Sequence, residues 1–145
     1  MDASFETLTA AEQQALDEKL GFIKSDRVIV IADSSAEKAG LTWLNSSSAS
    51  TRPVGANHRV GNNLLPGDEL KRWKFIYLKA KSGEGGWFNL RVDRSGGDVT
   101  LYGIEVVQDE YNGFPVADIF EHSGVRSVFP ASVSRGVAFD IYGGN

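Results

Sequence analysis

The sequence has no cysteine. That excludes disulfides, thiolate metal sites and a cysteine nucleophile, and it suits a reducing compartment. Histidine is scarce too. His58 lies between Asn57 and Arg59, and His122 follows Glu121 at an expected helix end. Neither has metal-ligand spacing, so no metal and no cofactor is expected. A basic excess is also missing. Fifteen Lys and Arg against nineteen Asp and Glu give a net charge of -4. Non-specific nucleic-acid binding rests on a basic footprint, so no nucleic-acid partner is expected. No stretch approaches the roughly 20 apolar residues of a membrane helix. The start, Met1-Asp2-Ala3-Ser4-Phe5-Glu6, shows no basic segment followed by an apolar run. These absences lead to the expectation of a soluble chain with no signal peptide and no membrane partner, made in the cytoplasm and able to reside within a larger particle.

What is present is glycine, at 16 residues in 145, clustered where turns are wanted. Together with 41% apolar residues, this fits one domain over residues 1–145 built from many short strands. One helix is signalled near the start. Thr9-Ala10-Ala11-Glu12 is a capping box, and Gly21 stands where a left-handed residue ends a helix of about residues 10–20. Val28-Ile29-Val30-Ile31 is a β-branched run that reads as a strand buried on both faces. Ser34 to Glu37 repeats the capping pattern, with Gly40 limiting any helix to a turn or two. Leu41 to Leu44 reads as a short strand. Residues 45–68 are rich in Ser, Asn, Gly and Pro without a sustained period, and read as a long polar loop or arm. Arg59-Val60 is the part of it suited to joining a sheet edge.

From Lys71 to Gln108 the pattern predicts a three-stranded antiparallel sheet. Trp73, Phe75 and Tyr77 alternate with Ile76, Leu78 and Ala80. A hairpin through Ser82 to Gly86 would set Ala80 opposite Phe88, Leu78 opposite Leu90 and Ile76 opposite Val92. A second hairpin through Gly96-Gly97-Asp98 would set Val92 opposite Tyr102, Leu90 opposite Ile104 and Phe88 opposite Val106. Leu78, Leu90 and Ile104 then form one central apolar row. A turn is expected at Asn112-Gly113, a short helix near 115–122, a strand from Val125 to Phe129 stopped by Pro130, and a last strand from Gly136 to Tyr142. The fold class is therefore α+β, mainly β: an antiparallel sheet arranged as a sandwich or partly open barrel, with an N-terminal helix.

Catalytic chemistry is hard to find. The acidic pairs Asp68-Glu69, Asp109-Glu110 and Asp118/Glu121 read as solvated faces. The Gly83 to Gly86 stretch lacks the lysine, the hydroxyl and the helix of a phosphate loop. No serine lies in a G-x-S-x-G elbow. The expectation is a protein that is not an enzyme. One constellation stands out. In the predicted register the second sheet face carries Trp73, Phe75, Tyr77, Trp87, Asn89 and Arg91, with Tyr77 opposite Arg91. This face is either a second core layer or a binding face. A polar interaction arm is read at Arg52, Asn57, His58, Arg59, Asn62 and Asn63.

The leading functional expectation is a structural or assembly subunit acting through protein–protein contacts in a homo- or hetero-oligomer. Virion accessory proteins of the decoration or tail kind are built in this style. Two alternatives stand beside it: an inhibitor or immunity-type protein that occludes a basic partner, and a glycan or small-ligand module using the aromatic face.

Overall fold

The computed structural model describes residues 21–49, 59–83 and 85–145. The capping box and the helix expected over residues 10–20 lie outside them. The described chain forms two antiparallel sheets stacked as a sandwich. Strands β1 (Ile29–Ala32), β2 (Thr42–Ala49), β4 (Phe75–Ala80), β7 (Glu110–Pro115) and β9 (Val137–Gly144) make one sheet in the order β1-β7-β4-β9-β2. Strands β3 (Leu65–Pro66), β5 (Gly86–Arg94), β6 (Val99–Val106) and β8 (Val125–Ala131) make the other in the order β3-β8-β5-β6. The mainly β reading therefore holds, and of the two expected arrangements, sandwich or partly open barrel, the chain forms the sandwich.

The predicted first hairpin is not formed. β4 bonds to β7 and β9, with Leu78 facing Asn112 and Ile141. β5 bonds to β6 and β8 in the opposite sheet. The chain arches from one sheet to the other between Ala80 and Gly86. Alternation specifies which face of a strand is inward, and that constraint is met equally by lateral pairing or by stacking across a core. Here Ile76, Leu78 and Ala80 meet Phe88, Leu90 and Val92 across the core, all at most 2% exposed. Phe88 and Phe139 bridge the two sheets with ring centroids 5.5 Å apart. Leu78, Leu90 and Ile104 are all fully buried, but they share the core without forming one row.

The second hairpin forms with a shifted register. Val92 faces Val99 and Phe88 faces Ile104, with a bulge between Asn89 and Arg91. The loop runs through Gly97 at φ 109°, a conformation that favours glycine. The bulge lets Tyr102 turn inward.

Other departures have local causes. β1 is an edge strand, and Val30 is 54% exposed, so the run 28–31 is not buried on both faces. β-branched residues fit a pleated edge as readily as a centre. The polar segment 45–49 belongs to β2, because pairing with β9 from Asn45↔Ile141 to Ala49↔Val137 is made by backbone groups and tolerates serine. Asn112 and Gly113 lie inside β7, not at a turn. A Cβ at Gly113 would collide with the Ile76 carbonyl and the Tyr77 ring, so close strand approach requires glycine there. β8 runs through Pro130. Its carbonyl accepts from Val60 N, on the side where two-residue β3 has already ended, so the missing N–H interrupts no ladder.

Several expectations are met. Ala36–Ala39 is one helical turn closed by Gly40 at φ 67°. Val116–Ile119 is one turn with Val116 and Ile119 buried. Val137, Phe139 and Ile141 share the inward side of β9. Arg59 bridges to Ala131 at a sheet margin.

β1 and β2 lie at opposite edges of their sheet and, through four antiparallel steps, point the same way. Residues 33–41 join them across the outer face. Lys79, on that face, donates to Asp33 at 2.7 Å, and Leu41 packs beside Tyr77 over Gly144. Residues 21–25 lie against the outer face of the other sheet.

Candidate binding surfaces

The sandwich divides the predicted aromatic face in two. Trp73, Phe75 and Tyr77 belong with the first sheet, and Trp87, Asn89 and Arg91 with the second. Tyr77 therefore does not face Arg91. It pairs with Gly113 and Tyr142. It is 5% exposed, and burial raises its pKa. Neighbouring Tyr142 packs edge-on against Tyr111 at 5.0 Å. Burial, then the adjacent Tyr111 and Asp140, push its hydroxyl up to about 12. Asp140 accepts from Trp43 Nε1 at 3.0 Å and Ser46 Oγ at 2.7 Å. Burial acts to raise its pKa, but these two donors together with the nearby Lys81 and Lys79 outweigh it and hold the carboxyl below its usual range.

Trp73 and Phe75 stay half-buried at the end of this sheet and wall a groove of about 430 Å³. Pro115 and Val116 extend the apolar surface, and Phe120 supplies another ring. Trp73 is fixed by its indole N–H donating to Glu69 Oε2 at 3.0 Å and by Gly143 beneath its ring. Lys71 Nζ stands 5.6 Å from the Phe120 centroid, and Lys74 completes the rim. No carboxylate is among the lining residues. The apolar half of this groove was legible in the alternation of Trp73 and Phe75. Phe120 and Pro115 come from the helix region and carry no sequence signal linking them to β4.

On the second sheet, Asn89 is fully buried beneath residues 21–23. Its Nδ2 donates to Gly21 O at 2.7 Å, and its Oδ1 accepts from Ile23 N at 3.1 Å. Gly103 N adds a bond to Ile23 O. Phe22 lies over Gly103 and packs on Trp87 with centroids 4.6 Å apart. Arg91 donates to Thr100 and approaches the Phe129 ring. Arg59 covers the same ring at 3.8 Å.

Of the predicted arm, Arg52, Asn57 and His58 lie outside the described residues. Arg59 donates to Asn63 Oδ1 at 3.0 Å and to the Gly61 carbonyl, and its bridge to Ala131 and the Val60 N bond to the Pro130 carbonyl set this part against the sandwich. Asn62 and Asn63 are exposed.

Asp118, read as a solvated acid, is only 7% exposed. It accepts Arg27 Nη2 at 2.6 Å, Arg27 Nε at 3.1 Å and the Tyr102 hydroxyl at 2.7 Å. The Arg27 guanidinium holds this carboxyl below its usual range, with burial opposing. Burial, then the Asp118 hydrogen bond, push the Tyr102 pKa well up. Arg27 is 91 residues away in sequence, and no local motif announces the pairing.

Among the described residues, no group of three or more His, Asp or Glu is placed to hold a metal, and no helix is long and apolar enough to cross a membrane. The chain has no significant match to any protein-family model, curated protein or solved structure.

Proposed function

We propose that this protein is a non-enzymatic assembly subunit that works through protein–protein contacts, and that the groove at Trp73, Phe75 and Phe120 docks an acidic segment of a partner protein. The observation that carries this reading is the composition of the groove: half-buried aromatic walls, two lysines and no carboxylate, on a chain of net charge -4. Half-open aromatic slots are the usual seats of interface anchor residues. A rim of one charge selects a partner of the other and speeds encounter. The occupant is an extended or helical stretch that presents one large apolar side chain flanked by Asp or Glu.

The sheet margins support lateral contacts as well. Trp43 is 56% exposed on edge strand β2, and Val30 is 54% exposed on edge strand β1. Edge strands of this kind are available for further pairing. Such a subunit suits a larger particle, in the manner of a virion decoration or tail component. An inhibitor that occludes a basic partner would present carboxylates at its contact surface, and this groove presents ammonium groups instead.

The test is purification from the native source under gentle conditions, followed by mass measurement of the intact species. The reading expects a stoichiometric complex in which cross-links from Lys71 or Lys74 reach an acidic segment of the partner. Recovery of a free monomer at every stage of the source's growth counts against it.

A further inference from the structure

The groove at Trp73, Phe75 and Phe120 suits an acidic stretch with one large apolar side chain, and the chain contains such a stretch itself. The net charge of -4 is not spread over the sequence. Residues 1–20 hold Asp2, Glu6, Glu12, Asp17 and Glu18 against Lys19 alone. The rest of the chain is balanced, with fourteen Lys and Arg against fourteen Asp and Glu. All of the excess acid therefore lies in one segment. Phe5 is its only aromatic residue, with Asp2 three positions before it and Glu6 directly after.

The groove is complementary on both counts. Trp73, Phe75 and Phe120 are half-buried, so a further ring can still gain contact area against them. Lys71 and Lys74 are exposed at the rim. Among the described residues, neither ammonium is in an ion pair. Two carboxylates on the flanking helical turns 67–70 and 116–119 are already engaged. Glu69 accepts from Trp73 and faces Arg72, and Asp118 accepts from Arg27 and Tyr102. The rim lysines are left to an incoming acid.

Reach allows the acid to come from another molecule. Gly21 is pinned to the sandwich by the Asn89 Nδ2 bond to its carbonyl. Phe5 lies sixteen residues before it, and that length of extended chain spans at most about 55 Å. The radius of gyration of a 145-residue domain is about 15 Å, so the segment is long enough to leave its own subunit.

We infer that the occupant of the groove is residues 2–6 of a second copy of this chain, with Phe5 seated among Trp73, Phe75 and Phe120 and with Asp2 and Glu6 against Lys71 and Lys74. This names the partner in the assembly reading and rests on that reading. Segment and groove are different surfaces, so the contact is head-to-tail and leaves one free segment and one free groove on each pair. Copies then add in series, closing into a ring or extending as a filament.

The experiment is sedimentation velocity of the full chain from about 5 to 200 μM, on the wild type and two charge-reversed variants. Asp2→Lys with Glu6→Lys reverses the segment, and Lys71→Glu with Lys74→Glu reverses the groove. The wild type should grow in mass with concentration. Each variant alone should associate at least about tenfold more weakly, because like charges then face each other. An equimolar mixture of the two variants should regain growth, because each segment then meets a groove of opposite charge. Three results overturn the proposal: a wild type that stays monomeric throughout, either variant associating as the wild type does, or a mixture no larger than its components. The broader reading fails separately. A monomeric wild type whose native complex still cross-links Lys71 or Lys74 to an acidic segment of a different protein removes the second copy and keeps the groove.

Discussion

The two outer faces of the sandwich are closed in different ways. On the five-stranded sheet, the crossing segment 33–41 and a set of tyrosines cover the face, and closure rests largely on ring area. Tyr77 and Tyr142 bury most of their surface and pack against Gly113, Gly144 and Tyr111. On the four-stranded sheet, residues 21–25 cover the face, and closure centres on two hydrogen bonds to the buried Asn89 amide, joined by the Gly103 N–H bond to Ile23 and by Phe22 on Trp87. Ring area can be trimmed gradually, whereas a buried polar clamp fails as a unit when one member is removed. The first mode leaves an apolar groove at its end, and the second leaves a partly polar cavity beside Trp87.

The largest expected effect comes from breaking the clamp. Asn89→Ala strands the Gly21 carbonyl and the Ile23 N–H and should cost about 3 kcal/mol in denaturant unfolding. Tyr77→Phe on the other face should cost under about 0.5 kcal/mol, because it keeps the ring. Similar losses from the two would erase the contrast.

Asp118→Ala should cost about 2–3 kcal/mol, because it leaves the buried Tyr102 hydroxyl without its acceptor. The pH dependence has a definite sign. The folded carboxyl sits below its ordinary value of 3.8, so its contribution is present above that pH and is lost as pH falls through the lower folded value. Stability curves for the wild type and Asp118→Asn should therefore begin to draw together as pH falls below about 4 and meet only below the lowered folded value.

Gly103→Ala is expected to cost about 1–2 kcal/mol. The new methyl displaces Phe22 from its seat over Trp87, and tryptophan fluorescence should shift to the red. Lys79→Met is expected to change stability by about 0.5 kcal/mol or less, because its partner Asp33 is 54% exposed and the pair is largely solvated.

Much of the strand content was legible in the sequence because alternation and turn glycines are local signals. β4, β5, β6 and β9 were all visible with their inward residues correctly assigned. Sheet membership was not legible, because Ile76, Leu78 and Ala80 can pair beside Phe88, Leu90 and Val92 or stack across from them with the same burial. Half of the groove was visible in Trp73 and Phe75. Phe120 was not, since it arrives from a distant part of the chain by way of sheet topology. The Arg27–Asp118 pair was hidden for the same reason, and Asp118 looked like a surface acid because its partners are non-local.

The most direct test of the assembly reading is charge reversal at the groove rim. Lys71→Glu and Lys74→Glu fall on exposed residues, so the double variant should keep the wild-type melting transition and fail to enter its native complex. Lys38→Glu, on the exposed helical turn 36–39, should enter normally. Incorporation of the double variant at the wild-type level would contradict the account.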